Sequence, residues 1–165
     1  MANGDLLYHD GLYMSALQAD GSYDFTENFT YVKPWLKQAD LVLGDFEGTI
    51  NPDYPLSGYP LFNAPQSVTA AISDAGYDVM DLAHNHILDS GLEGAFTTAD
   101  AFKEVGIDPV GVYENPVRDK APLFIKNVNG IKVAILSYAY GFNGLESNLT
   151  EKEIANHLSN LDENG

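Results

Sequence analysis

Short apolar runs in this sequence predict buried strands, and polar side chains follow directly after them. The runs lie at 41–43, 78–83 and 109–112, each bounded by glycine, proline or polar residues. Runs of this length are typical of strands that are covered on both faces of a parallel sheet.

Helical spacing of apolar residues occurs before each of these runs. It predicts helices over 33–38, 63–78 and 90–107. Gly76 and Gly106 lie near the C-terminal ends of the second and third segments, where glycine commonly ends a helix. Helices and strands therefore alternate along most of the chain.

The pattern changes after residue 112. A polar loop is expected over 113–122, followed by two strands about the pair Asn129–Gly130, because Asn-Gly is a strong hairpin signal. A helical pattern that starts with a capping box covers 150–161. The predicted fold class is α/β, with a mostly parallel sheet that carries an antiparallel pair at one side.

Polar clusters follow three predicted strands, and we expect the first of these strands to be incomplete. Ligands of such sheets bind outside the carboxyl ends of the strands, so the clusters are expected to meet at one rim. They lie in GDLLYH, GDFEG and AHNHILD and supply Asp5, His9, Asp45, Glu47, His84, Asn85, His86 and Asp89.

Carboxylate, amide and imidazole groups together suit Mn²⁺, Fe²⁺ or Zn²⁺ better than Ca²⁺. A bridging carboxylate can hold two such ions. A pair of ions activates water near neutral pH and stabilises the attacking and leaving oxygens of a displacement.

Each cluster also has a simpler interpretation. Asp5 and Asp45 suit turns, His9 suits an exposed loop, and Glu47 suits solvent. Asp89 or Ser90 is a candidate cap for the helix that begins near Gly91, and for Asp89 this role is as well supported as a metal role.

The two histidines of the third cluster constrain one another. His84 and His86 point to opposite faces if the chain is extended there, so at most one of them is expected to bind a metal. The other is expected to pack against the core.

Composition limits the possible partners. The net charge is −16, from 24 acidic and 8 basic residues, which argues against a nucleic-acid partner and against adsorption to an anionic membrane. There is no cysteine, and no run of about 18 apolar residues that would span a bilayer. A large negative net charge favours the binding of divalent cations.

Taken together, GDLLYH, GDFEGTI and HNHILDSG resemble the bacterial capsule synthesis family of the CapA/PgsA type, associated with poly-γ-glutamate biosynthesis. The stretches 106–116 and 129–144 are similar to the pattern of that family as well. The resemblance implies one domain over residues 1–165, as the N-terminal part of a larger capsule-synthesis domain.

The resemblance also implies a layered α/β sandwich similar to calcineurin-like metallophosphoesterases, with a two-metal site. It makes Asp5 and His9 ligands of one ion, Glu47 the bridging carboxylate and Asn85 a ligand of the second ion. His86 would stand beside the substrate as a proton donor or orienting group.

The sequence departs from the family at several points. The family usually has Asn at the position of His84, and Asn or a small polar residue at Asp45. Its later histidine motifs are not found here, and His157 matches none of them. We therefore expect about half of a site, weak metal binding and no activity of the isolated chain.

Two functions remain open. One is a metal-dependent hydrolase acting on a phosphoester, or on an amide or ester bond in an anionic surface polymer. The other is a non-catalytic component that handles polymer or assembles with the membrane subunits of a capsule synthetase. The resemblance implies a membrane-anchored protein on the outer face of the cell, and a truncated sheet predicts an exposed edge suited to homodimers.

Overall fold

The computed structural model describes residues 1–113 and 123–148. Its centre is a four-stranded sheet with the order β1-β2-β3-β4, and every neighbouring pair is parallel. This architecture confirms the predicted α/β class. The strands are β1 (Ala2–Asp5), β2 (Leu43–Asp45), β3 (Val79–Asp81) and β4 (Asp108–Val110).

Four α-helices lie between and beside these strands in the described part of the chain. The three helices predicted over 33–38, 63–78 and 90–107 are present but shorter than expected, and α1 was not anticipated from the sequence. The helices are α1 (Asp10–Ala16), α2 (Lys33–Leu36), α3 (Val68–Ala75) and α4 (Gly91–Glu104). Single 3₁₀ turns cover Thr26–Phe29 and Leu145–Asn148.

The predicted hairpin forms a sheet of its own. Strands β5 (Phe124–Val128) and β6 (Ile131–Ile135) pair antiparallel, and Asn129 takes a left-handed φ of 52° in the turn between them. Lys126 Nζ lies 3.0 Å from Asp108 Oδ2 of β4, which ties the hairpin to the parallel sheet through a side chain. The predicted tail helix and most of the loop at 113–122 lie outside the described residues.

The core covers the central strands on both faces, as expected for a parallel sheet. Val79, Met80 and Leu82 are completely buried, and the rings of Phe46 and Phe102 meet edge to face at 5.1 Å. Strand β1 lies at the edge of the sheet, and its residues are exposed. The expected open edge is thus present, and pairing with a second copy stays a prediction.

Strand register brings three aspartates into one row. Asp5 pairs with Asp45, and Asp45 pairs with Asp81, each at the carboxyl end of its strand. Strand β2 begins two residues later than its apolar run suggested, so Asp45 belongs to the strand and does not form a separate turn. No helix in the described part of the chain has the length and apolar character needed to cross a bilayer.

Candidate functional site

The row of aspartates creates a strongly acidic strand edge. The pKa of Asp45 is raised to about 7, chiefly by burial and in addition by the neighbouring charges of Asp81, Asp5 and Glu47. Asp81, unlike Asp45, has hydrogen-bond donors beside it in the described part of the chain. Its Oδ1 accepts the Ala83 N–H at 2.9 Å and also the Ser137 hydroxyl. A cation or a proton is needed to relieve this clustering of carboxylates.

Glu47 lies between the row and His86. Burial raises the pKa of Glu47, and a hydrogen bond with the Asp5 carboxyl raises it too, since one of the two groups must hold a proton to make that bond. Glu47 Oε1 is 4.0 Å from His86 Nε2, which is too long for a direct hydrogen bond. The structure therefore brings Asp5, Glu47 and His86 together in one cluster.

Asp89 holds the other side of the His86 ring. His86 Nδ1 lies 2.7 Å from Asp89 Oδ2, and that oxygen also accepts the Phe62 backbone N–H at 2.6 Å. Because Nδ1–H donates to the carboxylate, the lone pair of the neutral ring is at Nε2, which faces Glu47. Asp89 is not a helix cap: Ser90 occupies that position of α4, without a side-chain capping bond.

His84 supports the backbone and is not placed as a ligand. Burial lowers the pKa of His84 to about 3, so the ring is neutral at physiological pH. Its Nδ1 accepts the His86 backbone N–H at 3.1 Å. The segment around the two histidines is a series of turns, so the expectation of opposite faces, which assumed an extended chain, does not apply.

Asn85 is exposed and reaches toward a residue from beyond the hairpin. Its Nδ2 donates to Asn143 Oδ1 at 3.1 Å. Asn143 Nδ2 in turn lies 3.4 Å from both ring nitrogens of His86. The segment after β6 thus returns to the site and contacts two of its side chains.

His9 and His86 both contact the ring of Phe62. The Phe62 ring meets the His9 ring at 4.8 Å and the His86 ring at 4.8 Å, both edge to face. His9 is the exposed N-cap residue of α1. It is near the site, and the described contacts join it to Phe62.

A satisfied polar network fixes the loop that carries Phe62. The loop runs from Gly48 to Asn63 and is tied to the start of α4 by buried hydroxyl and amide groups. Ser90 Oγ donates to Thr49 Oγ1 at 2.7 Å, and Thr98 Oγ1 accepts the Ile50 N–H at 2.7 Å. These bonds join the loop to α4, directly after the histidine segment.

Three residues that contribute to the site were not predicted from the sequence. Asp81 lies inside a predicted strand, so its place in the row depended on register. Phe62 carried no chemical signal. Asn143 precedes Gly144 in an Asn-Gly pair like the one in the hairpin turn, and that pair was the available signal for it.

The donor set fits a divalent ion in part. Within residues 1–113 and 123–148, no three Asp, Glu or His side chains have the spacing of a complete metal site. In the same residues Asp45 Oδ1 and Asp89 Oδ1 are buried without a hydrogen-bond partner. Buried oxygens of this kind are costly unless a proton or cation satisfies them, so the chemistry of the cluster suits a cation.

Comparison with known proteins gives the family. A family model described as bacterial capsule synthesis protein PGA_cap matches residues 1–164. The chain belongs to this family. The match extends over the acidic row, the histidine segment and the hairpin alike.

Curated relatives of the chain are considerably longer. The capsule biosynthesis protein CapA of Bacillus anthracis is 35% identical over 119 residues, which cover 69% of this chain and 29% of the relative. The PGA biosynthesis protein CapA of Bacillus subtilis (strain 168) is 26% identical over 113 residues, which cover 67% of this chain and 30% of the relative. The chain therefore matches less than a third of the length of either relative.

Proposed function

We propose that this chain supplies one half of a metal-dependent hydrolase site in a protein of capsule synthesis. The observation that carries the proposal is the position of Glu47, which is hydrogen-bonded to Asp5 and lies 4.0 Å from His86. Glu47 is hydrogen-bonded to Asp5 and lies beside a histidine that is held in one tautomer. This arrangement suits acid–base catalysis of hydrolysis in an anionic substrate. The capsule role comes from the family and from the names of its relatives.

Asp5, Glu47 and Asn85 are the residues that would hold divalent ions, such as Mn²⁺, Fe²⁺ or Zn²⁺, and His9 would join them after a side-chain movement. Such ions, when bound, polarise the scissile bond and lower the pKa of water. In this proposal, further ligands come from residues outside this chain.

His86 has the clearest role among the chain's own residues. Asp89 accepts its Nδ1 hydrogen, so Nε2 is free to take up a proton and deliver it to a leaving oxygen or nitrogen. Phe62 packs edge-on against the ring and limits its rotation. His86 Nε2 and Glu47 Oε1 are 4.0 Å apart, so one water or substrate atom that contacts both must lie beside the line that joins them.

The proposed substrate is a phosphoester, or an amide or ester bond in an anionic surface polymer such as poly-γ-glutamate. A chain with net charge −16 repels a free polyanion, so bridging cations are part of this proposal. A position at the outer face of the cell membrane is also proposed, by analogy with the family.

The test uses the protein extended to the length of its relatives. Hydrolysis of a chromogenic phosphodiester and of poly-γ-glutamate is measured with Mn²⁺ for the wild type, Glu47→Ala and His86→Ala. The matched control is Glu93→Ala, an exposed carboxylate on α4. Loss of hydrolysis in the first two variants alone supports the proposal, and equal rates in all four proteins contradict it.

A second candidate is a non-catalytic component that assembles with capsule synthetase subunits. It is favoured by exposed apolar side chains on and next to the hairpin, where Ile131 is 68% and Leu136 64% exposed. Pull-down of synthetase subunits separates the two functions. Assembly that survives Glu47→Ala and His86→Ala, in a protein without measurable hydrolysis, favours this candidate.

A further inference from the structure

Asn143 contacts two site residues from a segment that is remote in sequence. Its Oδ1 accepts the Asn85 Nδ2–H at 3.1 Å, across 58 positions of the chain. Its own Nδ2 lies 3.4 Å from each ring nitrogen of His86. The amide of Asn143 therefore contacts His86, the proposed catalytic residue, and also Asn85, which directly precedes it.

The backbone at Asn143 is specialised for this placement. Its φ is +54°, in the left-handed region that favours Gly, Asn and Asp. Phe142, directly before it, is buried in the core, and the Phe142 N–H donates to Glu146 Oε1. The side chain of Asn143 is thus held between an anchored residue and a tight turn.

These contacts fix the orientation of the Asn85 amide. Because Asn85 Nδ2 donates to Asn143, its Oδ1 is turned away from that bond and is free to accept or to bind a cation. The contacts also constrain His86. The Asn143 amide nitrogen lies equally far from both ring nitrogens, at the long limit of a hydrogen bond, so it contacts the ring without occupying the Nε2 lone pair.

We propose that Asn143 is a positioning residue, which orients Asn85 Oδ1 and restrains the His86 ring. The orientation of Asn85 Oδ1 toward a metal ion rests on the proposed function. The contacts of Asn143 with Asn85 and His86 can be tested without any metal. Residues that hold metal ligands in place commonly change metal affinity by about 10–100-fold when they are replaced.

The chain offers a matched control for this position. Asn129 is the other non-glycine residue with positive φ in the described chain, at +52°, and it also precedes a glycine. Its side chain donates to Asp40 at the surface, away from the site residues. Asn143→Gly and Asn129→Gly therefore remove the same side chain from the same backbone conformation, at the site and away from it.

The first readout is NMR of the metal-free chain. Asn143→Gly is expected to shift the Asn85 side-chain amide and the His86 ring nitrogens, whereas Asn129→Gly leaves them unchanged. Asn143→Asp retains an acceptor for Asn85 but loses the donor toward His86. It should therefore restore the Asn85 signal and leave the His86 signal shifted. Asn85 and His86 signals in Asn143→Gly that match the wild type would overturn the proposal.

The second readout is the Kd for Mn²⁺, measured by calorimetry. Asn143→Gly is expected to weaken binding roughly tenfold or more, and Asn129→Gly to leave it unchanged. Equal affinities in the wild type and Asn143→Gly would overturn the orienting role toward Asn85. A wild type that binds no Mn²⁺ would count against the proposed function, while the NMR comparison would still decide the role of Asn143.

Discussion

Asp89 joins the histidine segment to the neighbouring loop, because its Oδ2 lies 2.7 Å from His86 Nδ1 and 2.6 Å from the Phe62 backbone nitrogen. The Asp89 side chain is only 1% exposed. Asp89→Ala leaves two buried donors without an acceptor. We expect it to lower the free energy of unfolding by about 2–4 kcal/mol in urea titrations.

The control for that prediction is Asp100→Ala on α4. Asp100 forms an exposed pair with Lys103, so its replacement should change stability by less than about 1 kcal/mol. A similar loss in the two variants would show that the Asp89 contacts contribute no more than a surface ion pair.

Asp45 should make the protein less stable as the pH rises from 4 to 7. Its pKa is raised from 3.8 to about 7 in the folded chain, chiefly by burial. Between these values the folded state holds a proton that the unfolded state has lost, so the free energy of unfolding falls with increasing pH. Asp45→Asn should remove this contribution when unfolding is measured in metal-free buffer. Parallel pH curves for the two proteins would contradict the assignment.

His84 should act in the opposite pH direction. Burial lowers its pKa from 6.5 to about 3, so the unfolded state binds a proton in this interval that the folded state does not. The free energy of unfolding therefore falls as the pH drops below 6.5. In an NMR titration the His84 ring signals should stay constant from pH 7.5 to about 4.5. A midpoint near 6.5 would disprove the buried, neutral ring.

Gly111 is required where β4 leaves the sheet. It has φ +94°, and a Cβ at this position would lie 2.7 Å from the Ala83 backbone nitrogen. Gly106 has a similar φ of +81° and open space around it. We expect Gly106→Ala to cost about 1–2 kcal/mol for its backbone conformation alone. Gly111→Ala should cost at least about 1 kcal/mol more, because of the clash. Equal costs in thermal or urea unfolding would show that the backbone at Gly111 can move.

Much of the fold follows from the order of short apolar runs and helical segments. The parallel sheet and the hairpin at Asn129 were predictable, because each has a local signal. Helix α1 was not, since its sequence, DGLYMSA, spans only about two turns and has a glycine in the first of them. The hairpin forms a sheet separate from the parallel one, and this separation could not be predicted because it depends on packing between distant segments.

The site was predictable as a set of residues and less so as a geometry. Asp5, Glu47 and His86 could be placed at one rim because parallel strands share their carboxyl ends. The row completed by Asp81 required the strand register, which a one-residue slip would have destroyed. Asn143 reaches the site only because the chain folds back after β6, so its contacts could not be read from spacing.

The central claim is that the strand-end carboxylates and Asn85 form half of a metal site. Calorimetric titration of the chain with Mn²⁺ tests it most directly, with Glu47→Ala and Asn85→Ala as site variants and Glu93→Ala as the control. We expect weak binding to the wild type and to Glu93→Ala, and loss of binding in both site variants. Binding that is absent from the wild type, or unchanged by the site variants, would contradict it.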